Sequence, residues 1–129
     1  MRELCNTPYK DFSVYDLEYV SCASLGINSM PADEFLAWAH REHATPGENH
    51  VRSFIKQYNS RQKPIAQRFY TANLLFMGTQ RQDEGGGVWI PYVYCMYFPE
   101  IGIKFTSSSM RVHGEVWLAH GHHNLVCFK

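Results

Sequence analysis

The residues of this chain best suited to chemistry are its seven histidines, and they fall in two groups. His40, His43 and His50 lie in the first half, and His113, His120, His122 and His123 near the C-terminus. Histidine is the commonest metal ligand and a frequent acid–base group. In an extended strand, side chains alternate between faces. His113 and Glu115 then share one face, while His120 and His122 share the other with Val116 and Leu118. The two pairs meet on one ion only if the chain breaks register, for example at a bulge near Ala119; Gly121 comes too late. The metal set that geometry allows is His120 and His122 with His43 from across the fold, and zinc is the ion it would suit. The plainer reading is of surface and turn histidines, so no cofactor is expected. His40 and His43 give H-x-x-H on a helix, without the glutamate of the metalloprotease H-E-x-x-H.

Several short likenesses bear on the same residues. Gly114 followed by His120-x-His122 resembles the start of the cupin metal motif, but Val126 and Cys127 stand where its glutamate belongs and no second histidine box follows. His113-x-Glu115 is similar to the H-x-E of the zinc deaminases, without their downstream P-C-x-x-C. Cys22, a C-terminal histidine and Asn124 have the order of a papain-like protease. Cys22 is expected late in a helix, however, far from the N-terminal end that lowers a thiol pKa. No nucleophile elbow, phosphate-binding glycine loop or dinucleotide fingerprint is present.

Charge is uneven although the formal net charge is zero. Residues 1–48 carry eight acids and three bases, residues 49–82 six bases and no acid, and residues 83–129 four acids and three bases. Arg52, Lys56 and Lys63 fall along one helical side with Phe69 and Tyr70 following, a pattern that can bind phosphates and stack bases. A pI near 7 disfavours a nucleic-acid module. Glu18 to Phe35 also overlays a helix-turn-helix, but its recognition helix would open on Asp33 and Glu34, facing phosphates.

The elements that position these groups can be read from periodicity. Thr7-Pro8 reads as a cap and first-turn proline, with Phe12, Tyr15, Tyr19 and Cys22 at helical spacing and Gly26 as a stop. A second helix starts near Pro31, with Asp33 and Glu34 in its first turn and Phe35, Leu36, Ala39 and His43 inward. Thr45-Pro46-Gly47-Glu48 reads as a capping box for a third helix, with Val51, Phe54, Ile55 and Tyr58 on one face and Arg52 and Lys56 on its other side. Pro64 bars its continuation. After it come strands: residues 65–78, Val88 to Phe98, Ile101 to Thr106, Val112 to Leu118 and a short one from Asn124 to Phe128. Gln80 to Gly87 reads as a hairpin loop, and Pro91 as a bulge or edge position.

The expected fold class is α+β in a single domain over residues 1–129. Three N-terminal helices (1–63) pack on a C-terminal antiparallel meander of about four strands (64–129). The nuclear-transport-factor-2-like cone is the alternative. Met30-Pro31-Ala32-Asp33-Glu34-Phe35 resembles a short piece of the scytalone dehydratases, which have that cone. That family has a β-hairpin between its second and third helices, where only Ala44 and Thr45 stand here, so no residue role is carried over.

No stretch has the apolar length of a membrane span or signal peptide. The four cysteines are irregularly spaced, so reduced thiols and a cytoplasmic protein are expected. The reading favoured is a non-enzymatic binding domain acting through protein–protein contact, a compact accessory type common among phage and viral proteins. Its expected contact surface is an outer sheet face with Trp117, Lys104, Thr106, Arg111, His113 and Glu115, joined by Arg52 and Lys56 of the third helix. A small-ligand cavity protein or lyase/isomerase-type enzyme with His and Tyr acid–base groups is the second reading. A zinc-binding or RNA-binding protein is the third.

Overall fold

A computed structural model describes residues 1–22, 31–60, 64–112 and 122–129. Its strands are β1 (Arg2–Asn6), β2 (Leu17–Ser21), β3 (Asn73–Leu75), β4 (Thr79–Gln82), β5 (Val88–Phe98), β6 (Gly102–Val112) and β7 (His123–Phe128). Its α-helices are α1 (Ala32–Glu42) and α2 (Glu48–Asn59). Single 3-10 turns occupy Val14–Asp16 and Gln67–Phe69.

The sheet is mixed, curled and forked. β6 pairs with the whole length of β5. The other edge of β5 pairs with β4 near its start and with β3 further along. β1 continues from β4, while β7 joins β3 in parallel and β2 closes that branch. The fork sits at Phe76, Met77 and Gly78, where the chain between β3 and β4 turns out of the ladder. Pro91 of β5 faces this gap. Its carbonyl accepts from Phe76 N–H at 3.0 Å, and the N–H that proline lacks points where no strand runs. A proline is tolerated in a long inner strand under that condition.

The fold expected from the sequence is overturned in three respects. Two α-helices are present among the described residues, not three. Within the segment expected as the first helix, Val14–Asp16 form a 3-10 turn and Leu17–Ser21 form β2, and Arg2–Asn6 before it form β1, so the N-terminal part adds two strands to the sheet. Seven strands among the described residues, one pair of them parallel, replace an antiparallel meander of about four. The cone alternative fails on the same finding, because it too opens on helices. The physical cause lies in β2. Leu17 and Tyr19 face one side of the sheet and Val20 and Cys22 the other, a period of two set by pairing with β7. Aromatic residues three or four apart imitate a helical stripe until that long-range partner is known.

Strand parity also shows where the helices sit. Leu75, Val88, Ile90, Val112, Leu125 and Cys127 pack with Phe35, Leu36 and Ala39 of α1. Leu17, Leu74, Val93, Phe105 and Val126 pack with Val51 and Phe54 of α2. Leu74 and Leu75, or Leu125 and Val126, are neighbours on opposite faces, so the sheet is covered on both sides by one helix each. This layering buries strands on both faces and explains why β3, β5 and β7 read as nearly continuous apolar runs.

Of the stripe expected on α1, Phe35, Leu36 and Ala39 are almost fully buried, whereas His43 stands beyond the helix in extended backbone and is half-buried. The stripe on α2 is as expected, but its start differs. The helix begins at Glu48, and Thr45 is buried, with its hydroxyl 3.2 Å from Nδ1 of His40. Glu48 N–H donates to Thr79 Oγ1 at 2.8 Å, and Gly47 N–H donates to His50 Nδ1 at 3.1 Å. Glu48 also grips Arg81 of β4 bidentately, at 2.6 and 2.5 Å, which lowers its carboxyl pKa.

Candidate binding surface

The long β5–β6 hairpin carries the most unusual surface of the molecule. Its register runs without a slip from Val88 opposite Val112 to Phe98 opposite Gly102. Gly102 closes the turn at φ +82°, a left-handed conformation that glycine adopts without steric cost. At this tip Met96, Tyr97 and Ile101 are exposed, Tyr97 at 68% and Ile101 at 62%.

Among the described residues β6 pairs only with β5, so its other edge lies at the margin of the described sheet. The side chain of Asn59, at the end of α2, identifies which residues face outward. Its Nδ2 donates to the Phe105 carbonyl at 2.9 Å, and its Oδ1 accepts from Phe105 N–H at 3.0 Å. Asn59 thus stands in for one residue of a missing strand. By the two-residue period, the amides and carbonyls of Ser107, Ser109 and Arg111 point the same way. None of them has a main-chain partner on that side among the described residues. Residues 105–110 contain no charge, proline or bulge, the devices that usually blunt an edge.

Two cations flank this edge. Lys104 Nζ donates to the Asn59 carbonyl at 3.3 Å. Arg111 Nε donates to Asp83 Oδ2 at 2.7 Å, beside Trp89 Nε1 on the same oxygen at 2.8 Å. Gly87 N–H donates to Asp83 Oδ1 at 3.0 Å. The Arg111 guanidinium, followed by the Trp89 indole, holds the Asp83 carboxyl well below the usual carboxylate range. The loop from Asp83 to Gly87 is therefore pinned to β6 through one carboxylate.

The expected contact face is only partly assembled. Lys104 and Thr106 lie on the face that α1 covers and Arg111 on the face that α2 covers, because the register of β6 is unbroken between them. His113, Glu115, Trp117 and His120 fall outside the described residues. Of the proposed metal set, His43 ends α1 with its ring edge-on to Trp38 at 5.4 Å, and His122 is exposed before β7. Among the described residues, no three His, Cys, Asp or Glu side chains converge to hold a metal ion.

Arg52 and Lys56 are exposed on α2, away from β6, where they line an open groove of about 620 Å³ with Tyr9, Asn49 and Ser53. The cysteine chemistry considered from sequence is disfavoured by environment. Cys22 is buried at the end of β2 and burial pushes its thiol up to about 12; burial likewise pushes Cys95 and Cys127 up to about 11.

Sequence reasoning missed Asn59 and His50. Asn59 carries no motif, since its role exists only against a strand 46 residues away. His50 is completely buried, ringed by Tyr9, Phe12 and Phe128 at centroid distances of 5.3–5.7 Å. Its place one turn into a helix after Gly47 was the available signal. No family model, curated protein or solved structure matches the chain.

Proposed function

We propose that the chain is a non-enzymatic binding domain acting through protein–protein contact, and that the outer edge of β6 receives an extended, acidic segment of its partner. The observation that carries this reading is the run of main-chain groups at Ser107, Ser109 and Arg111 that has no main-chain partner among the described residues. Strand addition draws affinity from such groups and specificity from alternate side chains. An acidic strand suits the site because residues 101–112 contain two bases and no acid, and Lys104 takes part in no ion pair among the described residues, while Arg111 is already paired with Asp83. The exposed Met96, Tyr97 and Ile101 at the hairpin tip offer apolar contacts to the same segment. All four cysteines are free thiols, which supports a reducing, cytoplasmic setting.

The test is selection of binders from a random peptide display library, followed by titration against Ser109→Pro. Proline there removes one outward N–H and leaves the inner ladder to β5 intact, a substitution edge strands tolerate. The expected result is a set of acidic, strand-forming peptides that lose at least about tenfold in affinity for the variant, with an unchanged melting temperature. Peptides that are basic, or that bind the variant equally well, contradict the reading.

A further inference from the structure

We propose that the groove on the solvent side of α2, lined by Tyr9, Asn49, Arg52, Ser53 and Lys56, binds a nucleoside phosphate, the phosphate between Arg52 and Lys56 and the base against Tyr9. This site is separate from the edge of β6 and stands or falls independently of it.

The charges come first. Arg52 and Lys56 are four residues apart on one helix, so their side chains project from the same face one turn apart. Both are exposed, and neither takes part in an ion pair among the described residues. These two cations give the groove a local positive charge that an anion would relieve. Between the two cations lies Ser53. Its oxygen accepts from Gln57 Nε2 at 3.1 Å, which leaves the hydroxyl proton to donate to a phosphate oxygen.

The aromatic component is Tyr9. One face of its ring stacks on His50 at 5.3 Å and an interplanar angle of 29°, and its hydroxyl donates to Asp11 Oδ1 at 3.1 Å. The ring is therefore held from two sides, yet it is 49% exposed. A fixed, half-exposed ring beside unpaired cations matches a planar base joined to a phosphate, and base–aromatic stacking is worth about 1–3 kcal/mol by itself. Asn49 Nδ2 is committed to Asn6 Oδ1 and the Thr7 carbonyl, which leaves the Asn49 amide oxygen to accept from base or ribose donors.

The experiment is titration of the whole chain by calorimetry and two-dimensional NMR with adenosine monophosphate, inorganic phosphate and adenosine. The monophosphate is expected to bind at least about tenfold more tightly than either fragment, with shifts at Tyr9, Asn49, Arg52, Ser53 and Lys56. Charge reversal by Arg52→Glu with Lys56→Glu is expected to lose about tenfold or more, since both positions are exposed and the variant should melt as the parent does. Tyr9→Phe keeps the ring and should retain binding, whereas Tyr9→Ala should reduce the monophosphate to the affinity of phosphate alone. The proposal is overturned if the monophosphate does not bind, if inorganic phosphate binds as tightly, or if charge reversal leaves affinity unchanged.

Discussion

His50 sits where three aromatic rings and two backbone amides meet. Gly47 N–H reaches its Nδ1 at 3.1 Å and Lys10 N–H its Nε2 at 3.3 Å. A neutral imidazole has one acceptor nitrogen, and a protonated one has none. Burial, helped by the charge of Lys10, lowers the pKa of His50. The unfolded chain then takes up a proton near pH 6.5 that the folded chain refuses. This contribution to stability is complete above that pH and is lost progressively as pH falls below it, until the folded pKa is reached. Melting curves between pH 7.5 and 5 should show it, and His50→Gln, which keeps an acceptor, should flatten the curve relative to the parent.

Gly78 makes a second prediction of the same kind. A β-carbon there would stand 2.5 Å from the Thr45 carbonyl oxygen and 2.7 Å from the Pro46 carbonyl carbon, both backbone atoms. Gly78→Ala must push apart the loop before α2 and the corner between β3 and β4. Chemical denaturation should register a loss of about 1–3 kcal/mol. The role of Gly78 was not readable in the sequence, because it depends on backbone atoms more than 25 residues away.

The elements differ in how far local sequence governs them. Helices α1 and α2 were legible because their apolar stripes repeat over three turns. The start of α2 was misjudged, since Thr45-Pro46-Gly47-Glu48 satisfies a capping pattern that His50 and Thr79 fulfil instead. β1 and β2 were illegible because short strands at the far end of a sheet take their period from distant partners. Only the start of β6 was legible: strand was expected to end at Thr106 and to resume at Val112, whereas Gly102–Val112 form one strand whose middle, Ser107 to Arg111, takes its conformation from pairing with β5. The edge of β6 is modulated by Asn59, and this can be tested. Asn59→Ala removes both side-chain hydrogen bonds to Phe105 and should cost about 1–2 kcal/mol. Phe105 N–H exchange should accelerate in that variant, while the amides of Thr106 and Ser108, bonded to β5, should not change.

At the level of the whole molecule, a sheet covered on both faces by single helices leaves its margins as the main-chain surface available for contact. The helical half and sheet half expected from sequence gave way because the chain returns repeatedly to one sheet, entering it at β1, β2, β3, β4, β5, β6 and β7. With α1 and α2 occupying opposite faces, the margin at β6, which has no strand partner among the described residues, becomes the distinguishing feature. Amide hydrogen exchange across β6 tests that account most directly. In the free protein, the Ser107, Ser109 and Arg111 amides should exchange fast while those of Thr106, Ser108 and Met110 exchange slowly. A selected acidic peptide should then slow the first three. Uniform protection along β6 in the free protein, or fast amides that the bound peptide leaves unchanged, would contradict it.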